Sequence, residues 1–592
     1  MKNYNSPFNL NSKQQSNDEK IRYDLFNKSI HAATLITKDK YEFINSEGFD
    51  PFILTFIQSP IITIDIKSPK FILLSDCSGN YIIIELNKVT DDEKPIIQKL
   101  LTNNAIKVFK EGKAVLKILL LEGYHISLPF FDITLAGLIL DSGLGDVSDY
   151  ESVVAKYVKS VPRNDKYLNW NYSITKSHIN SVADNAALMF ELMAVLKAGL
   201  AIAGLSPTAA LEFSCLPAIV EMEFIGIGFD EEKWIKVEEN IYKEMLHLEK
   251  ELKSILGSYN FEEADQFTIA VNNYGIPVKS VSKDNLSEYS LLQYPIIKTL
   301  QDYLSVRNLV KKYYKSFYIY LSKHDNRLYS TYNQIRSTGR IYCEDPNIQQ
   351  WPKRKDFREC IIAPNGKKFI DADYSQIDLK SASEITCDPV MIKAFQDGID
   401  LHRLTASFVY DKEPEDITKE ERQSAKVINF GLIYGMSALG LKRKIKEECD
   451  IAISEMQAEL FIIRFFQRYS GIKKWQDSIV QMNINETHTL LGRRRLWKNN
   501  DALKYALFNS PIQGTSADVF KKALSLLVLR LRPVNGLIVG VIHDEIICEV
   551  PEEYAIECEQ ILRKTMIEAG EFFIKSVPIL VETVIADNWA GK

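Results

Sequence analysis

The sequence is short of several features that would settle its class at once. Its eight cysteines in 592 residues, among them Cys77, Cys215, Cys343 and Cys548, are scattered with no close pair. That excludes the usual cysteine-based zinc sites and leaves reduced thiols as the reading. No uninterrupted apolar run reaches the ~18 residues of a membrane span, and residues 1–20 are polar and Asn-rich, without the apolar core of a secretory signal. A soluble intracellular protein is therefore expected. Excess positive charge is also missing. A formal net charge of −6 excludes a uniformly basic nucleic-acid binder, but not an enzyme with a local positive field in one cleft. No internal repeat is evident, and no low-complexity stretch follows a polar leader over residues 1–48, which carries too little apolar surface to bury.

What is present is a chain long enough for roughly three to five domains, with an ordinary globular hydrophobic content of 46%. Its most informative stretch is 369–380, Phe-Ile-Asp-Ala-Asp-Tyr-Ser-Gln-Ile-Asp-Leu-Lys. It starts as an apolar strand and carries carboxylates to its end. Strand period puts Asp371 and Asp373 on one face, and buried carboxylates are costly unless a cation or hydrogen-bond donors meet them. A second acid cluster lies between apolar strands expected over 537–542 and 546–550, joined by a tight turn of His543, Asp544 and Glu545. Two strand-borne acid clusters at the ends of a long insertion suit a two-metal site for phosphoryl transfer. On these clusters alone, two solvated turns remain an open alternative.

Between them, Thr418 with Glu421 three residues on is a capping box that starts a helix. Arg422, Lys426, Phe430 and Tyr434 follow at steps of four, along one slowly winding stripe. Two cations and then two rings form a face suited to a triphosphate followed by a sugar and base.

With these residues in hand, the chain resembles the family A DNA polymerases, the group of bacterial DNA polymerase I. The palm motifs read DYSQIDLK at 373–380 and VIHDEI at 541–546, and the fingers motif runs from Arg422 to Gly435. STGRIYCEDPNIQQWP at 337–352, DLHR at 400–403, LLGRRR at 490–495 and NSPIQGTSADVFKKA at 509–523 follow the family order. The likeness is strong over about 212–592 and weak before that.

The resemblance implies an α/β and α+β multidomain chain. A degenerate 3′-5′ exonuclease-like α/β domain over 49–205 precedes a right-hand polymerase over 206–592, without a 5′ nuclease domain. The thumb is expected at about 231–325, the palm at 326–384 and 505–592, and the fingers at 385–504. Strands over 61–66, 71–74 and 81–86 agree with the α/β part, and long helices are expected over 231–256 and 296–322.

It also implies template-directed addition of dNTPs to a primer 3′-OH with two Mg²⁺ ions, which Mn²⁺ can replace. Asp373 and Asp544 bridge the metals in that reading, and the Tyr374 carbonyl completes the shell. Glu545 lies near the primer end. Arg422 and Lys426 hold the triphosphate, joined by His402 and Arg403, and Lys426 can also donate a proton to pyrophosphate. Phe430 packs on sugar and base, and Tyr434 stacks at the insertion site. Gln376 and Asp378 belong to the nucleotide pocket, Asp378 standing where the family usually has a glutamate that excludes ribose. Arg340, Asn509 and Gln513 contact primer or template, while Arg493, Lys311 and Lys312 are phosphate contacts. Tyr505 replaces an arginine common in the family. In the exonuclease-like domain the four metal-binding carboxylates are matched by Asp65, Lys67, Val115 and Asn185, so one acid in four survives and proofreading is expected to be absent.

The implied partners are primer-template DNA and dNTPs, with no membrane and a monomeric chain; a helicase or clamp is not legible. The setting is a bacterial or phage-infected cytoplasm or an organelle. A catalytically silent DNA-binding scaffold and a single-subunit RNA polymerase are the competing readings.

Overall fold

The computed structural model describes residues 56–67, 71–86, 89–91, 93–158, 176–287, 289, 293–321, 325–482, 484–498 and 503–591. The expected leader over 1–48 lies outside them. The chain divides into two compact units, one formed by residues up to Val220 with Gly492–Leu496, the other by Glu221–Leu491 with Trp497 onward.

In the first unit, apolar runs rich in Ile and Phe make a mixed five-stranded sheet: β1 (Ile61–Lys67), β2 (Phe71–Asp76), β3 (Tyr81–Glu85), β4 (Ile106–Phe109) and β5 (Phe130–Asp132), in the order β3-β2-β1-β4-β5. β1 is antiparallel to β2 and parallel to β4, which fits strands that alternate with helices. Helix α1 (Lys176–Ile202) packs across β1, β2 and β4. Its stretch Asn180–Ile202 is long and apolar enough to cross a membrane by length and composition, and half of that window is buried inside the structure. The sequence reading passed over it because Asp184 and Glu191 interrupt the apolar run.

The second unit is built on a four-stranded antiparallel sheet. Its strands are β6 (Lys367–Tyr374), β7 (Leu537–Ile542), β8 (Glu545–Pro551) and β9 (Val581–Ala586), in the order β7-β8-β6-β9. The acid-bearing β6 therefore has a neighbour on each side: Asp373 pairs with Glu545 across one edge and with Glu582 across the other. Alternation sorts the faces. Phe369 and Ile547 join a cluster containing Trp234, Tyr313, Phe317, Trp351, Phe357 and Trp589. On the opposite face, the Tyr374 hydroxyl donates to the Met566 carbonyl at 2.6 Å, in the helix Ala555–Phe573. Trp234 is fully buried among these rings, so Trp234→Ala removes packing worth about 3–5 kcal/mol.

Among the helices of this unit are α2 (Glu231–Leu256), α3 (Ile296–Tyr313), α4 (Ile377–Thr386), α5 (Leu401–Tyr410), α6 (Lys419–Ile433), α7 (Glu455–Arg468), α8 (Ser470–Met482), α9 (Lys504–Arg530) and α10 (Ala555–Phe573). α2 has the expected bounds, started by Asp230, whose carboxylate accepts from the Lys233 amide. α3 is shorter than expected. It stops at Tyr313, and Lys315 takes a positive φ of 57° before a 3₁₀ turn over Phe317–Tyr320. None of the eight cysteines, all among the described residues, forms a disulfide.

Candidate active site

The end of β6 and the β7–β8 turn create the acidic end of the sheet. His543 adopts a left-handed φ of 58° and turns the chain so that Asp544 follows at once. The Tyr374 amide donates to the Asp544 carbonyl at 3.3 Å, which joins the two motifs through their backbones. Burial, then the neighbouring Asp373 and Asp378 carboxylates, push Asp544 up to about 7, with Arg340 pulling the other way. Acidic groups thus crowd that end of the sheet. Among the described residues no cluster of three or more His, Cys, Asp or Glu side chains forms a metal cage. The fit to a cation rests instead on the carboxylates gathered there: Asp373 at the end of β6 and Asp378 in the first turn of Ile377–Thr386 disfavour ionisation of Asp544 in the turn, while one arginine opposes them. Glu545 is buried and accepts from the Trp589 indole at 2.7 Å. Asp371 is buried in mid-strand on the same side.

Asp378, in the first turn of α4, is a meeting point. It accepts from Arg340 Nη2 at 3.1 and 2.8 Å and from the Tyr434 hydroxyl at 3.2 Å. Burial and Asp378 raise the Tyr434 phenol well above its ordinary range, and Gln513 is a further hydrogen-bond neighbour. Arg340, expected to reach primer or template, is thus engaged by Asp378. Gln376 begins α4 in a left-handed conformation, φ 55°, with its Oε1 buried and without a hydrogen-bond partner. Asn509 lies one turn before Gln513 on α9, and its Oδ1 likewise has no partner.

The stripe on α6 is real. Thr418 and Glu421 form both bonds of the capping box. Arg422, Lys426, Phe430 and Tyr434 keep solvent access, whereas Ala425, Val427, Ile428, Leu432 and Ile433 are buried. Tyr434 caps the helix, and Gly435 follows at φ 80°, where an added Cβ would sit 2.7 Å from the Phe508 ring. Arg422 Nε donates to Asp400 at 2.6 Å; Lys426 is exposed, with no ion-pair partner among the described residues. His402 is buried beside the stripe, its ring 6.2 Å from Phe430. Arg403 points elsewhere, donating to the Pro414 and Ile417 carbonyls at 2.8 and 3.1 Å.

Three expected phosphate contacts have other engagements. Arg493 belongs to the first unit, buried in an ion pair with Glu212 at 2.5 Å. Lys311 pairs with Glu262 at 2.8 Å, and Lys312 lies 5.2 Å from the Tyr313 ring centroid.

In the first unit, Asp65 sits on β1. Lys110 Nζ lies 2.7 Å from its carboxylate and 3.1 Å from Asn185 Oδ1, and Lys67 Nζ lies 3.5 Å from the same Asp65 oxygen. Val115 is buried. The sequence reading missed Lys110, though its position just after the apolar strand Ile106–Phe109 was the available signal.

The profile of DNA polymerase family A matches residues 231–591. DNA polymerase I of Aquifex aeolicus is 35% identical over 398 residues, covering 65% of this chain and 67% of that protein. DNA polymerase I of Caldicellulosiruptor bescii is 28% identical over 560 residues, covering 88% of this chain and 61% of its own length. The chain thus spans about three fifths to two thirds of these relatives. A solved structure described as the POL domain of Pol1 from M. smegmatis, in complex with DNA primer-template and dNTP, shares the fold with a TM-score of 0.80 at 21% identity, covering 93% of this chain and 99% of that one. With the motif order, the sheet and the family profile in agreement over most of its length, the chain belongs to DNA polymerase family A.

Proposed function

We propose that the chain catalyses template-directed DNA synthesis, adding dNTPs to a primer 3′-OH with release of pyrophosphate. The observation that carries this reading is the pairing of β6 with β8. It brings Asp373 and Asp544 to one end of one sheet, with the cationic and aromatic stripe of α6 tied to them through Tyr434 and Asp378.

Asp373, Asp544 and the Tyr374 carbonyl would hold divalent cations, Mg²⁺ or Mn²⁺, which lower the pKa of the attacking hydroxyl and stabilise the leaving pyrophosphate. The chain's own residues do the rest. Arg422 presents a planar fork to a phosphate once released from Asp400, and Lys426 supplies a mobile charge and a proton donor. Phe430 packs against sugar and base. Tyr434 closes the insertion site from the helix end, beside a glycine that allows the helix to stop there. Arg340, Asn509 and Gln513 face the duplex; minor-groove acceptors, present in every base pair, are what such donors read without sequence preference. Glu545, fixed by Trp589, shapes the primer side.

The first unit is proposed to be a structural platform without 3′-5′ exonuclease activity. The Lys110 and Lys67 ammonium groups at Asp65 support this, since a divalent ion held by one carboxylate that is already neutralised binds weakly. The 1–48 leader, 49–205 exonuclease-like and 206–592 polymerase divisions stand as proposals, with thumb, palm and fingers as above. A monomer and an intracellular setting belong to the same reading.

Primer extension with dNTPs against NTPs tests the function. Templated dNTP addition is expected. No extension with either supports a silent scaffold, and preferential NTP addition supports an RNA polymerase.

A further inference from the structure

Four polar side chains are buried behind the α6 stripe, and their bonds form one connected chain. His402, Thr405, Asn429 and Tyr469 are exposed by 4%, 0%, 1% and 1% respectively. Burying so many polar groups is tolerated only when each finds a partner. The Tyr469 hydroxyl and Thr405 Oγ1 are 2.8 Å apart, Thr405 Oγ1 lies 2.9 Å from Asn429 Oδ1 and 2.8 Å from the Leu401 carbonyl, and Asn429 Nδ2 lies 2.9 Å from His402 Nδ1. The threonine has one proton, used towards Asn429 Oδ1 or Leu401, so Tyr469 donates to it. An amide NH₂ group can only donate. Nδ1 must therefore accept, and the imidazole proton lies on Nε2.

We propose that Asn429, Thr405 and Tyr469 are positioning residues that hold His402 as a neutral imidazole with its proton on Nε2, presented as a directional donor to an anionic oxygen of the incoming triphosphate. This rests on the polymerase reading for the identity of the ligand, but the tautomer itself does not. His402 Nε2 has no protein partner among the described residues, which leaves that edge for a ligand.

The charged groups facing the ring are Asp400 on its own helix and Arg422 and Lys426 on α6, with the Phe430 ring alongside. Burial first, then the two cations, hold the imidazolium form down to a pKa of about 4, against the pull of Asp400. A third positive charge would compete with Arg422 and Lys426 for the same phosphates. A neutral donor fixes direction without adding that repulsion.

The competing arrangement turns the Asn429 amide over, so that Oδ1 meets a protonated Nδ1. Long-range ¹H–¹⁵N spectra of the full chain labelled at histidine, with His402 assigned by its loss in His402→Gln, separate the two without needing activity. The Nε2–H pattern at pH 7 is expected; an Nδ1–H or imidazolium pattern overturns the proposal. Asn429→Asp offers only acceptors, so it should switch the ring to Nδ1–H and introduce protonation between pH 5 and 7. KM for dNTP should then rise about tenfold, the size of one hydrogen bond to a charged group, with kcat within about threefold. Thr405→Val frees the amide to turn and should give a mixture of tautomers; a pure Nε2–H signal with unchanged KM removes Thr405 and Tyr469 from the brace. If the wild-type tautomer is as stated but no primer extension occurs, the polymerase reading fails while the brace stands.

Discussion

Two aspartates, each on an inner strand of its sheet, meet opposite fates in the two units. Asp65 on β1 is met by the ammonium groups of Lys110 and Lys67. Asp373 on β6 faces Asp544, and Asp544 is driven up to about 7 by burial and by other acids. One site has ammonium groups built in; at the other, carboxylates crowd a buried acid. The lesson is that an acid on a strand end says little by itself: what gathers round it, ammonium groups or other carboxylates, decides what it can bind.

The largest effect should come from removing one of those carboxylates. Asp373→Asn or Asp544→Asn is expected to cut the primer-extension rate about 10³-fold or more while DNA binding in a mobility-shift assay persists. Near-normal rates in either variant would erase the contrast between the two sites.

A smaller effect belongs to Asp378. In the proposed nucleotide pocket, lengthening it to glutamate would fill the space of one methylene beside the sugar, so Asp378→Glu should lower ribonucleotide relative to deoxynucleotide incorporation by at most about 1–3 kcal/mol. Single-nucleotide kinetics measure the ratio. An unchanged ratio would mean that Arg340 and Tyr434, which already hold Asp378, fix the pocket wall whatever its length.

The pH dependence sharpens the comparison further. The folded Asp544 lies near 7 against an ordinary value of 3.8, so its contribution favours the folded state most below its ordinary value and is lost as pH rises through about 7. Cation binding needs the ionised form. Apparent Mg²⁺ affinity in calorimetry should therefore rise about tenfold from pH 6 to pH 8, and the Mg²⁺-induced gain in thermal midpoint should grow with it. A flat profile would remove Asp544 from the cation site.

The smallest expected effect is none. An end-labelled mismatched primer, incubated with Mg²⁺ and no dNTPs, should keep its 3′ end. Shortening that persists in Asp544→Asn and disappears in Asp65→Ala would show that Lys110 and Lys67 do not block the first unit.

Much of this was legible because it is local. The capping box at Thr418 and Glu421, the stripe of four on α6, α2 over 231–256 and the strands flanking the His543 turn depend on near neighbours and on simple periods. What was not legible depends on pairs far apart in the chain. Nothing in the spacing of Arg340 and Asp378, of Lys110 and Asp65, or of Glu545 and Trp589 announces their contact. Arg493 illustrates the limit: a run of arginines reads as a surface for phosphate, yet one member is buried against Glu212. α3 was read too long because its helical period continues past Tyr313, while the break at Lys315 is a backbone event with no glycine or proline to mark it.

The order of strands in the sheet also bears on how the protein is made. Residues 367–374 are synthesised well before both of their hydrogen-bonding neighbours, Glu545–Pro551 and Val581–Ala586. An acidic strand with two open edges must wait while every helix from Ile377 to Arg530 is synthesised. Helical segments can form meanwhile from local contacts, whereas the sheet cannot close until Val581–Ala586 has been made. A truncated product that stops short of Val581 would carry helix α6 and both aspartates, and still lack a finished sheet on which to set them.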